Sequence, residues 1–258
     1  VVIHTSGHLV VHRGDGTLVL PMDITAPGTT SEAIAVAGLT GPDLVVAGDL
    51  DRDGDQDLVV ASTTDATAQV LVLLGDGETG GGVVAPGAPT QLAWTTGSQP
   101  VGVAAGDFDR DGHPDYAVVG QNSNAVAVFR NAGDASAFAL SDQQALGQRG
   151  DRVRAVDLDR DGVLDLVATV IGGASDSLAV LRGDGDGTFQ APALATCLGN
   201  ADPVDVDLAD FDRDGDVDAV AAEALTRTVQ LFRGTGTALS SAAGADRRTA
   251  ANNARPVA

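Results

Sequence analysis

Gly106-Asp107-Phe108-Asp109-Arg110-Asp111-Gly112-His113-Pro114-Asp115 decides the reading of this chain, because near copies of it recur three more times. They are Gly48-Asp49-Leu50-Asp51-Arg52-Asp53-Gly54-Asp55-Gln56-Asp57, Asp157-Leu158-Asp159-Arg160-Asp161-Gly162-Val163-Leu164-Asp165 and Asp210-Phe211-Asp212-Arg213-Asp214-Gly215-Asp216-Val217-Asp218. The shared pattern, D-x-D-R-D-G-x-x-D, has the chemistry of a calcium loop. Calcium is a hard cation that takes about six to eight oxygens at roughly 2.3–2.6 Å, from carboxylates and main-chain carbonyls. Aspartates at positions 1, 3 and 5 supply three of them from one side of a tight turn: Asp49, Asp51 and Asp53; Asp107, Asp109 and Asp111; Asp157, Asp159 and Asp161; Asp210, Asp212 and Asp214. Glycine at position 6 permits the bend. Position 7 is Asp55, His113, Val163 or Asp216, and a valine there points to the main-chain carbonyl as ligand. Position 9 closes the site with Asp57, Asp115, Asp165 or Asp218. An EF-hand needs a bidentate Glu at position 12, which here is Val60, Val118, Ala168 or Ala221, so that reading fails. Position 2 is always apolar (Leu50, Phe108, Leu158, Phe211) and is expected to turn inward; the arginine at position 4 is expected to face solvent or pair with a loop carboxylate.

Outward from the loops, the first aspartates are separated by 58, 50 and 53 residues, a period that marks repeated supersecondary units. Each loop is followed by a short apolar run: Leu58-Val59-Val60-Ala61, Tyr116-Ala117-Val118-Val119, Leu166-Val167-Ala168-Thr169 and Ala219-Val220-Ala221-Ala222. These are too short for helices and fit buried strands. A second run follows, as in Val70 to Leu74, Val126 to Phe129, Leu178 to Leu181 and Val229 to Phe232, each ending at a Gly-rich turn such as Gly75-Asp76-Gly77 or Gly183-Asp184-Gly185-Asp186-Gly187. With a first strand such as Val101 to Ala104 and an outer segment such as Phe189-Gln190-Ala191-Pro192, each unit holds four antiparallel strands, which is a propeller blade.

The expected fold is therefore all-β: one β-propeller domain over 1–258, of four-stranded antiparallel blades with calcium loops between first and second strands. Five blades are countable, at 1–25 plus 255–258, 42–98, 99–148, 150–200 and 202–248. The first joins Val1 to His4, Leu9 to His12 and Leu18 to Leu20 with the tail Arg255-Pro256-Val257-Ala258, which resembles the starts of later blades. The alternative is a piece of a seven-bladed ring, and the extra strand-like Ile34-Ala35-Val36-Ala37 fits neither count. Since Val1 opens directly into a strand-like run, a processed chain or a fragment of a longer one is expected.

Composition narrows the function. Against 15 bases, all arginine, stand 36 acids, giving a formal charge of −21, and sixteen of the acids are the four repeated aspartates of four loops. Nucleic acid is an improbable partner for so acidic a chain. Aromatics are 3% of residues, so the core must be Val, Leu and Ala. No run approaches the roughly 18 apolar residues of a membrane helix. The single Cys197 reads as a free buried thiol.

These units resemble FG-GAP (VCBS-type) repeats, the blade type of the integrin α-subunit propeller and of many secreted bacterial proteins. The resemblance runs through Pro42 to Arg233, more weakly through Val1 to Thr25, and includes the turn Gly183 to Phe189. It implies that D-x-D-x-D-G-x-x-D binds calcium in the hairpin between the first two strands, four sites in all. The function expected is a non-enzymatic binding, adhesion or structural module for an unknown protein or glycan, extracellular, at the cell surface or periplasmic, alone or within a larger surface protein or assembly. A sugar-binding lectin is one alternative, though only Trp94 and Tyr116 offer rings for stacking on sugar. A propeller-scaffold hydrolase or lyase is the other, but no G-x-S-x-G, H-E-x-x-H or phosphate loop occurs. Of three Arg-Gly-Asp tripeptides (Arg13-Gly14-Asp15, Arg149-Gly150-Asp151, Arg182-Gly183-Asp184), two sit where every blade places a Gly/Asp turn and read as hairpin geometry rather than adhesion signals, and His4, His8 and His12 read as strand residues rather than a metal face.

Overall fold

The apolar runs on either side of each acidic loop become neighbouring antiparallel strands, because a nine-residue loop returns the chain directly beside itself. The computed structural model of the chain describes residues 2–4, 8–12, 31–35, 42–54, 57–62, 69–74, 90–91, 99–133, 138–172, 175–241 and 247–249. All regular structure among them is β. Strands β1 (Val2–His4), β2 (His8–His12) and β3 (Ser31–Ala35) form a three-stranded sheet in that order. The second sheet is β4 (Pro42–Gly48), β5 (Asp57–Ser62), β6 (Gln69–Leu73) and β7 (Thr90–Gln91). The third is β8 (Pro100–Gly106), β9 (Asp115–Gly120), β10 (Ala125–Asn131) and β11 (Phe138–Ala145). The fourth is β12 (Arg149–Val156), β13 (Asp165–Ile171), β14 (Ser177–Leu181) and β15 (Ala193–Thr196). The fifth is β16 (Pro203–Ala209), β17 (Asp218–Glu223), β18 (Thr228–Gly234) and β19 (Leu239–Ser241), with β20 (Arg247–Thr249) also on β18. Each of the last four sheets runs in chain order, the meander of a propeller blade, and the acidic loop joins its first and second strands.

By its contacts the chain divides into two compact units, Val1–Pro100 with Asn131–Ala139 and Val101–Arg130 with Leu140–Ala258. In the first unit, Val45 pairs with Val60 and Val46 with Val59, and every described residue from Leu58 to Ala61 is buried. The segment that fitted no blade is placed here. Ile34 and Ala35 belong to β3, which pairs with β2 through Leu9 and Ile34. Leu18-Val19-Leu20, expected to hold that place in the sheet, lies outside the described residues, as do Val36 and Ala37, the tail from Arg255, the Gly75-Asp76-Gly77 turn, Arg13-Gly14-Asp15 and Trp94.

In the second unit the sheets stack, and their burial patterns differ for that reason. All six residues of β9 and all five of β14 are buried, so these strands are covered on both faces and carry unbroken apolar runs rather than alternation. One core joins Phe108, Val126 and Val128 to Leu166, Leu181 and Phe189; the next joins Leu158, Leu178 and Val180 to Val206, Phe232 and Leu239. Fully buried alanines (Ala117, Ala168, Ala179, Ala219, Ala221) keep the layers close without large side chains. β18 instead alternates, with Val229 and Arg233 exposed between buried neighbours, and β17 is half-buried at Val220 and Ala222, so one face of the fifth sheet is less fully covered. Cys197 is free and buried.

The outer strand of the fourth sheet begins later than expected. Phe189 makes only an isolated bridge with Gly183, and β15 starts at Ala193, after Pro192, whose nitrogen has no hydrogen to donate to a ladder. The Phe189 ring is drawn into the core, edge-on to Phe108 with centroids 5.5 Å apart.

Candidate metal centres

Each acidic loop is fastened to its sheet before it can hold anything. Leu50, Phe108 and Leu158 at position 2 are 1–2% exposed, as inward-turning anchors should be. Phe211 departs from this: it is 47% exposed, in the sheet whose Val229 is also open to solvent. Position 9 is a post rather than a rim residue. Asp57, Asp115, Asp165 and Asp218 are almost fully buried, and their Oδ2 atoms accept the position-2 N–H groups at 2.6, 2.9, 3.1 and 2.9 Å. The Oδ1 atoms of Asp165 and Asp218 accept the N–H groups of Gly183 and Gly234, tying the loop to the end of the third strand.

Within the loop the carboxylates shape the turn. Oδ2 of the first aspartate accepts the N–H of the glycine at position 6, at 3.2, 2.9, 3.1 and 3.1 Å in the four copies. Oδ1 of the third accepts the N–H of the fifth, at 3.2, 3.1, 3.2 and 3.2 Å. The glycines have φ of 98°, 93°, 84° and 102°, the bend anticipated for them. At position 7, His113, Val163 and Asp216 donate their N–H groups to Asp111, Asp161 and Asp214; Asp55 lies outside the described residues.

What remains is a set of converging oxygens. Single ligand atoms from Asp49, Asp51 and Asp53, from Asp107, Asp109 and Asp115, from Asp157, Asp159 and Asp161, and from Asp210, Asp212 and Asp218 lie within 4.8 Å of one another. In three loops an oxygen of the first aspartate is stranded: Oδ1 of Asp49, Asp107 and Asp157 is enclosed and accepts no hydrogen bond. Such an atom is costly to bury without a partner, by about 1–3 kcal/mol or more for a charged group. Three or more hard oxygens, with an unsatisfied one on the first aspartate, fit a divalent cation of the calcium type. The electrostatics agree. Burial holds the Asp165 carboxyl above its ordinary 3.8, and Asp161 and Asp157 add to this against amide donation from Gly183 and Leu158. Asp51 is raised by burial, with Asp57, Asp53 and Asp49 adding to it against one amide.

Two arginine positions carry information that sequence reasoning missed. At position 4, Arg52, Arg110, Arg160 and Arg213 all have left-handed backbone, φ 60–64°. All four are exposed, as expected, and Arg110 adds a contact that was not anticipated: its Nε donates to the Gly185 carbonyl of the following sheet at 3.3 Å. Gly185 has φ 77°, a backbone that favours glycine, and a Cβ there would also push on the Arg110 guanidinium. The second position ends the third strand. Leu73, Phe129, Leu181 and Phe232 pair with the residue just after each position-9 aspartate, so Leu74, Arg130, Arg182 and Arg233 are equivalent. Arg130 Nη1 lies 3.4 Å from Asp109 Oδ2, Arg233 bonds Asp212, and Arg182 bonds both Asp159 and, at 3.0 Å, Asp165. The only sequence sign was the recurrence of Phe-Arg or Leu-Arg at three strand ends. With its arginine seated in the loop, Arg182-Gly183-Asp184 is part of the blade's own turn.

A family model described as FG-GAP-like repeat matches residues 49–118, 107–168 and 169–221. No curated protein matches the chain. Among solved structures, the crystal structure of BBS1N in complex with ARL6DN, soaked with lead, is similar at 16% identity and TM-score 0.53, over 80% of this chain and 57% of that one. The chain thus spans little more than half the length of that protein, and the likeness is one of fold. The Tc holotoxin pore of Photorhabdus luminescens aligns at 15% identity and TM-score 0.32, over 94% of this chain and 11% of that one.

Proposed function

Because the chain belongs to the FG-GAP-like repeat family, whose propeller fold is that of a binding or structural module, we propose that it is a calcium-stabilised, non-enzymatic module working outside the cytosol on a protein or glycan partner. The observation that carries the calcium reading is the enclosed, unbonded Oδ1 of Asp49, Asp107 and Asp157, each beside further carboxylate oxygens. The aspartates at positions 1, 3 and 5, with Asp115 and Asp218 from position 9, would hold the ion. Calcium would supply the positive charge that these oxygens otherwise lack. If the sites have the ~10⁻⁴–10⁻³ M affinity of extracellular modules, calcium at about ten times Kd stabilises each by about 1.4 kcal/mol. Resting cytosolic calcium would leave such sites nearly empty, which supports an extracellular or periplasmic setting. The non-enzymatic reading rests on the patterned carboxylates being committed to loop closure and ion binding. Among the described residues no helix is long and apolar enough to cross a membrane.

The test is thermal unfolding in millimolar calcium, in magnesium and in excess chelator. The melting temperature is expected to fall clearly in chelator and to be restored by calcium more than by magnesium. An unchanged melt in chelator overturns the reading.

A further inference from the structure

We propose that the residue ending the third strand sets the calcium affinity of its loop, arginine there acting as a resident cation that competes with the metal. The four loops are graded as a result: the loop of Asp49, where Leu74 stands in place of arginine, fills first, and the loop of Asp157, where Arg182 sits on two carboxylates, fills last. This rests on the calcium reading of the loops and adds what regulates them.

The register makes the comparison like for like, since all four residues follow a partner of the same position in the second strand. The seating differs. The Arg182 side chain is only 19% exposed and holds Asp159 and the buried Asp165 together. Arg130 and Arg233 are far more exposed, at 48% and 45%, where they meet Asp109 and Asp212, so solvent screens their hold on the loop more strongly. Leu74 carries no charge, so nothing at that position offsets the negative field of the Asp49 loop. A guanidinium and a divalent ion on the same carboxylates repel each other at contact distance, even with strong solvent screening. Loading the Asp157 loop therefore requires Arg182 to leave Asp159, whereas loading the Asp49 loop displaces nothing at that position. The enclosed Oδ1 of Asp157 shows that Arg182 does not satisfy the whole donor set, so this loop is weakened rather than abolished as a site.

Each loop has its own reporter, the N–H of the position-6 glycine that is bonded to the first aspartate. Calcium titration followed by ¹H–¹⁵N NMR should move Gly54 first and Gly162 last, with midpoints at least about tenfold apart. Arg182→Leu should lower the Gly162 midpoint, and Leu74→Arg should raise that of Gly54, each by about tenfold. Coincident midpoints, or swaps that leave both unmoved, overturn the grading while a chelator-sensitive melt leaves calcium binding intact. If no glycine moves and the melt ignores chelator, calcium binding and the grading fall together. Should Arg182→Leu not fold, Leu74→Arg, which adds a charge without removing a bond to a buried carboxylate, decides.

Discussion

Left-handed backbone at position 4 is a conformation that glycine adopts freely and a branched carbon chain does not. Arg52, Arg110, Arg160 and Arg213 hold it because the aspartates at positions 1 and 3 capture the two amides that follow the arginine, those of positions 6 and 5. Arg52 is exposed, so Arg52→Gly is expected to stabilise the protein by roughly 0.5–1 kcal/mol, relief of about 1–2 kcal/mol of left-handed strain exceeding about 0.4–1 kcal/mol of added unfolded-chain entropy. Gly54→Ala, at φ 98°, should cost more than that and lower the chemical-denaturation midpoint. Loss of stability in Arg52→Gly would mean that the side chain holds the loop. The turn glycines and the aspartates were legible because their roles demand residue types. Position 4 was not, since arginine is a poor residue for its backbone there and Arg110 acts through a carbonyl 75 residues away in sequence.

At the scale of the element, burial of the position-2 anchor separates the loops. Leu158→Ala removes a side chain that is 2% exposed and should cost about 2–5 kcal/mol in urea unfolding. Phe211→Ala, at 47% exposure, should cost well under half as much, although phenylalanine is the larger residue. Equal losses would mean that Phe211 is covered in solution. The first three strands of each blade could be read in advance because burial on one or both faces demands apolar runs. The outer strands could not: β15 is exposed at three of its four positions, so its residues report little about pairing, and Phe189 looked like a strand residue because it is apolar, though it serves the core. The arginines at the strand ends escaped notice for a related reason, since only the register shows that they stand beside the position-9 aspartate.

For the whole molecule, charge governs how stability answers to solution conditions. A formal −21 accompanies carboxyls, at Asp165 and Asp151, that burial pushes above their ordinary 3.8. A carboxyl with a raised value in the folded chain favours folding while protonated; that advantage is complete below 3.8 and is lost as pH rises through the raised value. Without calcium, the melting temperature should therefore increase as pH is lowered from 7 toward about 4, helped by relief of net repulsion. Asp186, held low by Thr188, opposes this as a single exposed group. With calcium the slope should reverse, because protons then compete with the ion. Melts at several pH values with and without chelator check both signs.

The uneven burial of the fifth sheet also gives the second unit a direction in time. β13 and β14 are closed in on both faces, while one face is half-buried in β17 and partly exposed in β18. Opening the fifth sheet exposes less new surface than opening the fourth, so it is the cheaper fluctuation. Deuterium should enter the backbone amides of β17 and β18 well before those of β13 and β14, although all four strands are laddered alike. The stack then behaves like a row of pages bound at one side and turned from the other: proteases and partners that need a loosened strand would meet the fifth sheet first.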